Sequence, residues 1–291
     1  MKCNLCPRMC DSQRDDYTNI NGFCQMPLLP TVARAQLHFW EEPCISGENG
    51  SGTVFFSGCS LKCVYCQNQK ISTDNFGKTI TIERLAEVFR ELEEKGANNI
   101  NLVSPTHYVE AIIKALDIYK PQIPIVYNSG GYENVETLKR LIGYVDIYLM
   151  DFKYFDEQKA LKYSNAPNYC DVVKKALLEA YSQQSECTFK NGIMQKGLIV
   201  RHLLLPQCTN DAISIFNWVR ENTGGAYFSI MSQYVPMGKA ASMPPIDRKV
   251  TKREYEKVLS YICNSDFKNC FYQHRSSAVQ EFIPNFNLDG V

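Results

Sequence analysis

The sequence predicts an α/β fold in which six parallel strands, each followed by helical segments, form a partial (β/α)6 TIM-like barrel behind a small N-terminal four-cysteine metal-binding module. Three observations predict the barrel. From residue 53 onward, short β-branched or aromatic runs alternate with longer stretches of helical period. The runs are apolar almost throughout, as expected for strands buried on both faces of a parallel sheet. Glycine and polar residues gather directly after them, where such folds place their sites.

Each predicted strand is a short apolar run that ends at glycine, proline or polar residues. In chain order the strands are 53–56, 99–103, 124–127, 145–150, 198–204 and 227–231, with a possible short strand at 270–272. Because parallel strands are joined by right-handed crossovers, these repeats are expected to form a curved sheet covered by helices.

The clearest predicted helix begins at Thr81, an N-cap type of residue, and ends at Gly96. Its residues Leu85, Val88 and Leu92 fall on one face. By the same criteria, further helices are predicted at 109–119, 135–141, 157–185, 211–221 and 251–263.

The chain of 291 residues has 13 cysteines, and they are unevenly distributed. Eight lie in the first 66 residues, where an even distribution would place about three. The chain begins without the apolar stretch of a signal peptide, and no run of about 18 apolar residues occurs, which predicts a soluble, cytoplasmic protein. Cysteines stay reduced in the cytoplasm, so the clustering favours metal binding over disulfides.

The overall charge is balanced, with 31 Lys and Arg against 31 Asp and Glu. No global field therefore draws the chain to nucleic acid or to a membrane, and we expect neither as a partner. The hydrophobic content of 45% is enough for a large core and argues against disorder.

Cys59, Cys63 and Cys66 form a C-x3-C-x2-C triplet directly after the first predicted strand. Three thiolates cannot close a tetrahedral zinc site without a further ligand. They can hold three irons of a 4Fe–4S cluster and leave the fourth iron open. A triplet in this loop resembles that of the radical SAM superfamily, over residues 53–235. The resemblance implies an enzyme that reductively cleaves S-adenosylmethionine to a 5′-deoxyadenosyl radical, with an electron donor such as flavodoxin or ferredoxin.

The resemblance also implies cofactor contacts near the triplet. Tyr65, the aromatic residue before the third cysteine, is expected to lie against the adenine. Asp151-Phe-Lys153 after the fourth strand resembles the Asp-x-Lys of pyruvate formate-lyase activating enzymes. Lys153 offers a cation for the methionine carboxylate, and Asp151 can hold Lys153 or a monovalent cation.

Residues after the second and third predicted strands are less specific candidates for contacts with the cofactor or the substrate. Many family members carry a Gly-Gly-Glu-like stretch after the second strand, whereas this chain has Ser104-Pro-Thr106-His107. Ser104 and Thr106 are candidates for the methionine amino group, and His107 is a candidate for the substrate, although this stretch also suits a simple helix start. Asn128 and Ser129 at the third strand end are candidate cofactor contacts.

Two later strand ends complete the cofactor candidates. Arg201 and His202 are neighbours on the fifth strand and must point to opposite faces. We favour His202 as the residue facing the lumen, with Arg201 as the alternative. Ser232 and Gln233 after the sixth strand are candidates for the ribose or the adenine edge, or form a bare turn.

Cys3, Cys6, Cys10 and Cys24 form a second cysteine set in a polar stretch. Four thiolates can close a zinc site and hold together a segment too small for its own core. An auxiliary 4Fe–4S cluster fits the same ligands. We favour zinc, and we divide the chain into an N-terminal module and strap (1–52) and a radical SAM domain with a C-terminal helix (53–291).

The stretch before the first predicted strand concentrates aromatic and acidic residues. It contains the substrate-contact candidates His38, Trp40, Glu41, Glu42 and Glu48. We expect this strap to line the barrel mouth, and the alternative is a packed strap with solvated glutamates.

With this stretch included, the resemblance to poorly characterised relatives of pyruvate formate-lyase activating enzymes extends over nearly the whole chain. Two substrate classes follow from it. The first is a small molecule that fragments after hydrogen abstraction, as in a lyase acting on the 7-deazaguanine base queuine. The second is a pyruvate formate-lyase-like partner that receives a glycyl radical. A metal-binding redox adaptor is a third, less favoured function.

Overall fold

The structure is a computed structural model, and it describes residues 3–273 and 284–291. In chain order the strands are β1 (Gln13–Arg14), β2 (Asn19–Ile20), β3 (Thr31–His38), β4 (Ser51–Phe56), β5 (Lys78–Thr79), β6 (Ile100–Val103), β7 (Ile125–Ser129), β8 (Ile147–Asp151), β9 (Thr188–Lys190), β10 (Ile193–Leu203), β11 (Tyr227–Met231) and β12 (Cys270–Tyr272).

The helices lie mainly between consecutive strands of the large sheet. They are α1 (Pro43–Ser46), α2 (Gln69–Ser72), α3 (Ile82–Glu94), α4 (Val109–Ile118), α5 (Val135–Lys139), α6 (Glu157–Ser164), α7 (Tyr169–Gln183), α8 (Thr209–Asn222) and α9 (Lys252–Cys263). In α3 the Thr81 side chain accepts a hydrogen bond from the Arg84 N–H, and Leu85, Val88 and Leu92 are buried, as the sequence predicts.

Seven strands form a parallel array in the order β4-β6-β7-β8-β10-β11-β12. β3 extends this sheet as an antiparallel neighbour of β4, and β5 pairs with β3. The strand order begins at β12 and ends at β5, so among the described residues the sheet is an open partial barrel. The predicted α/β fold with a mostly parallel central sheet is therefore confirmed.

Alternate residues of the parallel strands face the lumen of this partial barrel. The upper inward-facing positions are Phe55, Val103, Asn128, Asp151, Arg201, Leu203 and Met231. Below them, apolar residues of β7, β8 and β10 pack with α1. The lumen thus has an apolar base, a polar middle layer and a cavity at the end where the parallel strands finish.

Residues 39–46 enter the lumen from the end where the parallel strands begin, opposite to the end expected. Because β3 runs antiparallel to β4, His38 pairs with Ser51 at the start of β4. Ile45 of α1 packs against inward-facing apolar residues at the starts of β7, β8 and β10, and its carbonyl accepts a hydrogen bond from Asn99 Nδ2 at 2.8 Å. The prediction that this segment lines the barrel mouth is therefore corrected for α1, which closes the end where the strands begin, whereas Trp40 and Glu41 line the cavity beside Cys63 and Cys66.

Residues 3–30 lie against the carboxyl ends of β4, β6 and β7. Arg14 donates to the His107 carbonyl at 2.9 Å, and Thr137 of α5 donates to the Leu5 carbonyl at 2.8 Å. The boundary expected at residue 52 does not divide the structure, because β3 belongs to the same sheet as β4.

The last described residues run along β3. The Ala35 N–H donates to the Asp289 carbonyl at 2.8 Å, and the Leu288 N–H donates to the Ala33 carbonyl at 3.0 Å. Lys70 of α2 donates to the Phe286 carbonyl at 2.6 Å. This segment therefore covers the outer edge of β3 and contacts the helix that follows the cysteine triplet.

Across the described ranges, the helices are all too short or too polar to cross a lipid bilayer.

Candidate active site

A cavity of about 230 Å³ opens at the carboxyl end of the sheet, beside the cysteine triplet. Its lining residues are His38, Trp40, Glu41, Phe55, Cys63, Tyr65, Cys66, Gln67, Asn68, Val103, Asn128, Asp151, Lys153, Arg201, Leu203, Met231, Gln233 and Pro284. Apolar side chains form part of the wall, and charged side chains form the floor. Such a mixture is typical of a small-molecule site.

The loop that carries the triplet begins at Gly58, whose φ of +84° lies in the region favoured by glycine. A Cβ atom here would lie 2.2 Å from Met26 Cγ and 3.0 Å from His107 Nε2, so the loop requires glycine at this position. The sharp turn directs Cys63 and Cys66 into the cavity. Burial, together with the neighbouring Cys63 and Cys59 sulfurs, raises the pKa of the Cys66 thiol to about 12.

A chain of hydroxyl groups connects Tyr65 with the sulfur of Cys63. Ser164 donates to Cys63 Sγ at 2.9 Å. The hydroxyl oxygens of Ser164 and Tyr154 lie 2.6 Å apart, as do those of Tyr154 and Tyr65. Because Ser164 gives its single proton to the sulfur, Tyr154 must donate to Ser164 and Tyr65 must donate to Tyr154. The chain thus places a fixed hydrogen-bond donor at Cys63.

Asp151 joins two buried cations at the end of β8. Lys153 Nζ lies 2.6 Å from Asp151 Oδ2, and Arg201 Nε lies 2.9 Å from Asp151 Oδ1. Burial alone would raise the pKa of Asp151, but the Arg201 and Lys153 charges outweigh it and hold the pKa below its ordinary value. Burial would lower the pKa of Lys153, but Asp151 and then Cys63 raise it above its ordinary value. All of these groups therefore carry charge at neutral pH.

Arg201 also organises the floor of the cavity. Its Nη1 lies 2.8 Å from Glu41 Oε2 and 3.8 Å from Glu42 Oε2, and its Nη2 donates to Asn128 Oδ1 at 2.6 Å. Asn128 and Asn101 each donate to Glu41 Oε1, at 3.1 and 3.3 Å. The floor therefore offers both a guanidinium and a carboxylate to a ligand above it.

His202 points away from the lumen, so the orientation favoured from the sequence is wrong and the alternative, Arg201 in the lumen, holds. The Nδ1 of His202 donates to the Phe152 carbonyl at 2.7 Å. The side chain is 1% exposed and is not among the described residues that line the cavity. The choice between the two residues depends on strand register, and the apolar residues around them on β10 do not reveal it.

His107 and Thr106 also turn away from the cavity. His107 donates from Nε2 to the Ser57 carbonyl at 2.7 Å, and burial lowers its pKa to about 3. Thr106 donates to Glu133 Oε1 at 2.8 Å. Burial raises the pKa of the Glu133 carboxyl to about 7, and hydroxyl donors at Thr106 and Tyr127 moderate the rise. This buried carboxyl follows Gly130-Gly131 and was not singled out from the sequence.

Four further candidates lie outside the group that lines the cavity. The Ser104 N–H donates to the Asn128 carbonyl at 2.9 Å, and the Ser129 hydroxyl accepts from the Gly131 N–H at 3.3 Å. Ser232 is buried away from the cavity. Glu48 is exposed beside the loop before β10, at the other end of the barrel, so its expected place near the mouth is corrected.

The remaining candidates meet at the cavity. Cys63, Cys66, Tyr65, Asn128, Asp151, Lys153 and Gln233 line it together with His38, Trp40 and Glu41. Cys59 is half-buried, and its sulfur accepts from the Leu61 N–H at 3.3 Å. Glu42 lies beneath the floor. Asn101, Ser164 and Tyr154 also belong to this site but were not anticipated. Asn101 could have been predicted, because it is a polar residue at an inward position of an apolar strand. Ser164 and Tyr154 could not, because only the folded chain brings them next to the triplet.

Replacing Ser164 with alanine is expected to shift the midpoint potential of a cluster on the triplet to a more negative value. A hydrogen bond to a ligating sulfur stabilises the more negative, reduced state, so its loss makes reduction harder. EPR-monitored redox titration of the anaerobically reconstituted protein measures the shift. Ser182→Ala on the exposed end of α7 removes an equivalent hydroxyl far from the triplet and should leave the potential unchanged. Equal potentials in both variants and the wild type would contradict the assigned role.

Comparison with known proteins identifies the class. Residues 53–197 match the Radical SAM superfamily. Over 270 residues, the chain is 32% identical to the uncharacterized protein MJ0674 of Methanocaldococcus jannaschii, covering 88% of this chain and 73% of that relative. A second protein of the same organism, MJ0808, is 25% identical over 268 residues, covering 84% of this chain and 74% of the relative. The chain therefore belongs to the radical SAM superfamily and is an enzyme.

Solved structures show the same fold. SuiB of Streptococcus suis bound to its precursor peptide SuiA has a TM-score of 0.54 and 15% identity, covering 75% of this chain and 47% of that chain. SuiB bound to S-adenosylmethionine has a TM-score of 0.54 and 14% identity, covering 75% of this chain and 48% of that chain. This chain thus spans about half the length of the solved chains.

Membership of the superfamily implies a 4Fe–4S cluster and S-adenosylmethionine. The residues present fit the cluster, because three thiols share one loop and influence one another electrostatically. Among residues 3–273 and 284–291, no set of three Cys, His, Asp or Glu side chains is already gathered closely enough to hold a metal ion. The assignment of the triplet therefore comes from the family and from the donor chemistry.

Proposed function

We propose that this protein is a radical SAM enzyme that removes a hydrogen atom from a small molecule in the lumen, after which that molecule fragments. The observation that carries this proposal is the cavity floor, where Glu41, Asn128 and Arg201 lie next to Cys63 and Cys66. A closed array of directional polar groups suits a small ligand that must be held in one orientation.

The residues of the chain divide this task. Cys59, Cys63 and Cys66 would hold the cluster, and the Lys153 ammonium would receive the methionine carboxylate of the cofactor. When bound, the cluster and S-adenosylmethionine supply one-electron cleavage of the S–C5′ bond and a 5′-deoxyadenosyl radical. Apolar side chains at the cavity wall, such as Phe55 and Leu203, keep water from the reacting atoms.

The floor favours a planar base with hydrogen-bond donors on one edge. A guanine-like edge presents a ring N–H and an exocyclic amino group, and a carboxylate such as Glu41 accepts from both. Asn128 is positioned by Arg201 and adds polar atoms beside it, while Phe55 and Trp40 supply aromatic walls. A 7-deazaguanine base such as queuine, with a cyclopentenediol to release, is therefore the first substrate to test.

Anaerobic incubation with queuine, dithionite and S-adenosylmethionine tests the proposal. We expect release of a smaller 7-deazaguanine base together with 5′-deoxyadenosine, and mass spectrometry detects both products. Glu41→Gln should raise KM for the base more than it lowers kcat, because it removes ground-state recognition. Unchanged queuine, with a glycyl EPR signal on adding a pyruvate formate-lyase-like protein, would replace this function with that of an activating enzyme.

We propose a structural zinc ion for Cys3, Cys6, Cys10 and Cys24. The sulfurs of Cys6 and Cys24 accept hydrogen bonds from the backbone N–H groups of Arg8 and Met26, an arrangement that suits thiolates. Cys3 and Cys24 act electrostatically on Cys6, and Cys3 and Cys10 act on Cys24, which supports a common site that metal binding would draw together. Four thiolates close a zinc site without an open position.

Metal analysis of a variant in which Cys59, Cys63 and Cys66 are all replaced by alanine tests the zinc proposal. We expect about one zinc per chain and no iron, because only the closed four-thiolate site remains. Residual iron with substoichiometric zinc would assign an auxiliary iron–sulfur cluster to the N-terminal set instead.

A further inference from the structure

The side chain of Arg8 connects the N-terminal cysteine set with the loop that carries the triplet. Arg8 lies between Cys6 and Cys10 in the sequence. Its Nε donates to the Ser60 carbonyl at 2.7 Å, and Ser60 is part of the triplet loop. One guanidinium therefore reaches directly from one cysteine-bearing segment to the other.

The same guanidinium also holds the segment behind the triplet. Its Nη2 donates to the Ser164 carbonyl at 3.2 Å, and its Nη1 donates to the Asn165 carbonyl. Ser164 is the residue whose hydroxyl donates to Cys63 Sγ. Arg8 thus fixes the backbone on both sides of Cys63: the loop that precedes it and the end of α6 that supplies its hydrogen bond.

Aromatic rings hold the guanidinium in place. Its central carbon lies 3.8 Å from the centroid of the Phe23 ring and 5.3 Å from that of the Tyr132 ring. Such cation–π contacts limit the orientations of the guanidinium. Phe23 directly precedes Cys24, and Lys62 of the triplet loop lies 5.4 Å from the same ring. Arg8, Phe23 and Lys62 therefore form one connected set of contacts between the N-terminal cysteine segment and the triplet loop.

The positive charge of Arg8 also acts on the cysteine triplet. The half-buried guanidinium interacts electrostatically with the sulfurs of Cys59 and Cys63. A cation near ligating thiolates stabilises the more negative, reduced form of a cluster, as does a well-aligned hydrogen bond to sulfur. Arg8 supplies the positive charge directly, and it supports the hydrogen bond to sulfur by holding Ser164 in place.

We propose that the N-terminal module positions the catalytic cysteine loop, with Arg8 as the positioning residue that sets the potential and retention of the cluster. The inference rests on the assignment of the triplet to a cluster but not on the identity of the substrate. The module would then support the chemistry from outside the cavity, without contacting cofactor or substrate. Fixing Cys6, Cys10 and Cys24 in one site would also fix Arg8 and Phe23.

Redox titration of the reconstituted holoenzyme, followed by EPR, tests this role with Arg8→Lys and Arg8→Gln. Arg8→Gln is expected to shift the midpoint potential to a more negative value, since it removes both charge and carbonyl contacts. Arg8→Lys keeps the charge and should show a smaller shift, with a broadened EPR signal and faster iron loss in air. The lysine variant keeps the test decisive if the glutamine variant does not fold.

Arg34→Lys is the matched control. Arg34 of β3 also donates to a backbone carbonyl, that of Asn285 at 3.3 Å, and it lies in neither cysteine-bearing segment. Its replacement should leave the potential and the EPR line shape unchanged. Wild-type potentials in both Arg8 variants, or equal shifts in Arg8→Lys and Arg34→Lys, would overturn the proposal. Both measurements are made without substrate, so failure of the queuine assay leaves them interpretable.

Discussion

Replacing Cys63 with alanine is expected to reduce 5′-deoxyadenosine formation under dithionite to background, a loss of more than about a thousandfold. Cys63 lines the cavity, accepts the Ser164 hydrogen bond and interacts with Lys153. With two thiolates left, the loop can no longer supply three protein ligands to a 4Fe–4S cluster. Anaerobic reconstitution, iron and sulfide analysis, and chromatographic measurement of 5′-deoxyadenosine check the result.

Cys263→Ala provides the control for this experiment. Cys263 is an exposed cysteine at the end of α9, so its loss removes one thiol without touching the cavity. It should reconstitute and cleave S-adenosylmethionine like the wild type. Cleavage by the Cys63 variant at the wild-type rate would show that the triplet does not carry the cluster.

Replacing Arg201 with methionine is expected to destabilise the protein by about 3–5 kcal/mol, the usual cost of leaving buried charges without their partner. Arg201 is the cation shared by Asp151, Glu41 and Glu42, and its side chain is 12% exposed. Arg201→Lys keeps one charge but cannot make the forked contacts, so a smaller loss is expected. Anaerobic urea unfolding of the wild type and both variants at one pH measures these losses.

The loss caused by Arg201→Met should depend on pH. In the wild type the pKa of Asp151 lies below its ordinary value, so its contribution to stability is present above about pH 4 and is lost as the pH falls further. Burial raises the pKa of Glu42 above its ordinary value even in the wild type, and the Arg201 charge opposes that rise. Without Arg201 the rise is larger, and a buried carboxyl of this kind destabilises the fold progressively as the pH rises above about 4. The difference in unfolding midpoint between wild type and variant should therefore be larger at pH 8 than at pH 5.5. A difference independent of pH would contradict this account of the floor.

The sheet was predictable because its strands are apolar on both faces and separated by clear turn and helix signals. Because the strands are apolar on both faces, however, the sequence does not show which side chains point into the lumen. In Val200-Arg201-His202 each residue has an apolar neighbour on one side, so no local contrast marks the inward face. Pairing of Arg201 with Asp151 across β8 and β10 decides it, and that pairing is a property of the whole sheet.

The cysteine triplet was predictable because its spacing and its place after a strand carry the chemistry within eight residues. The position of residues 37–48 was not predictable from the sequence, because it depends on the direction of β3. An antiparallel strand returns the chain to the start of β4, so Glu41 reaches the floor from below, whereas Glu48 remains exposed outside the barrel. The contribution of Arg8 depends on contacts with Ser60, Ser164 and Asn165, which lie 52 to 157 positions away in the sequence.

The backbone contacts of Leu288 and Asp289 with β3 have a consequence for synthesis on the ribosome. β3 and β4 emerge early and can pair with each other at once, but the outer edge of β3 gains these two hydrogen bonds only after residue 289 has left the exit tunnel. Until then the nascent chain exposes unpaired backbone groups beside the segment that carries the triplet, and such edges invite pairing with other chains. The docking of residues 288 and 289 on β3 is therefore a late event in the folding of this protein, because β3 and β4 are synthesised long before these residues.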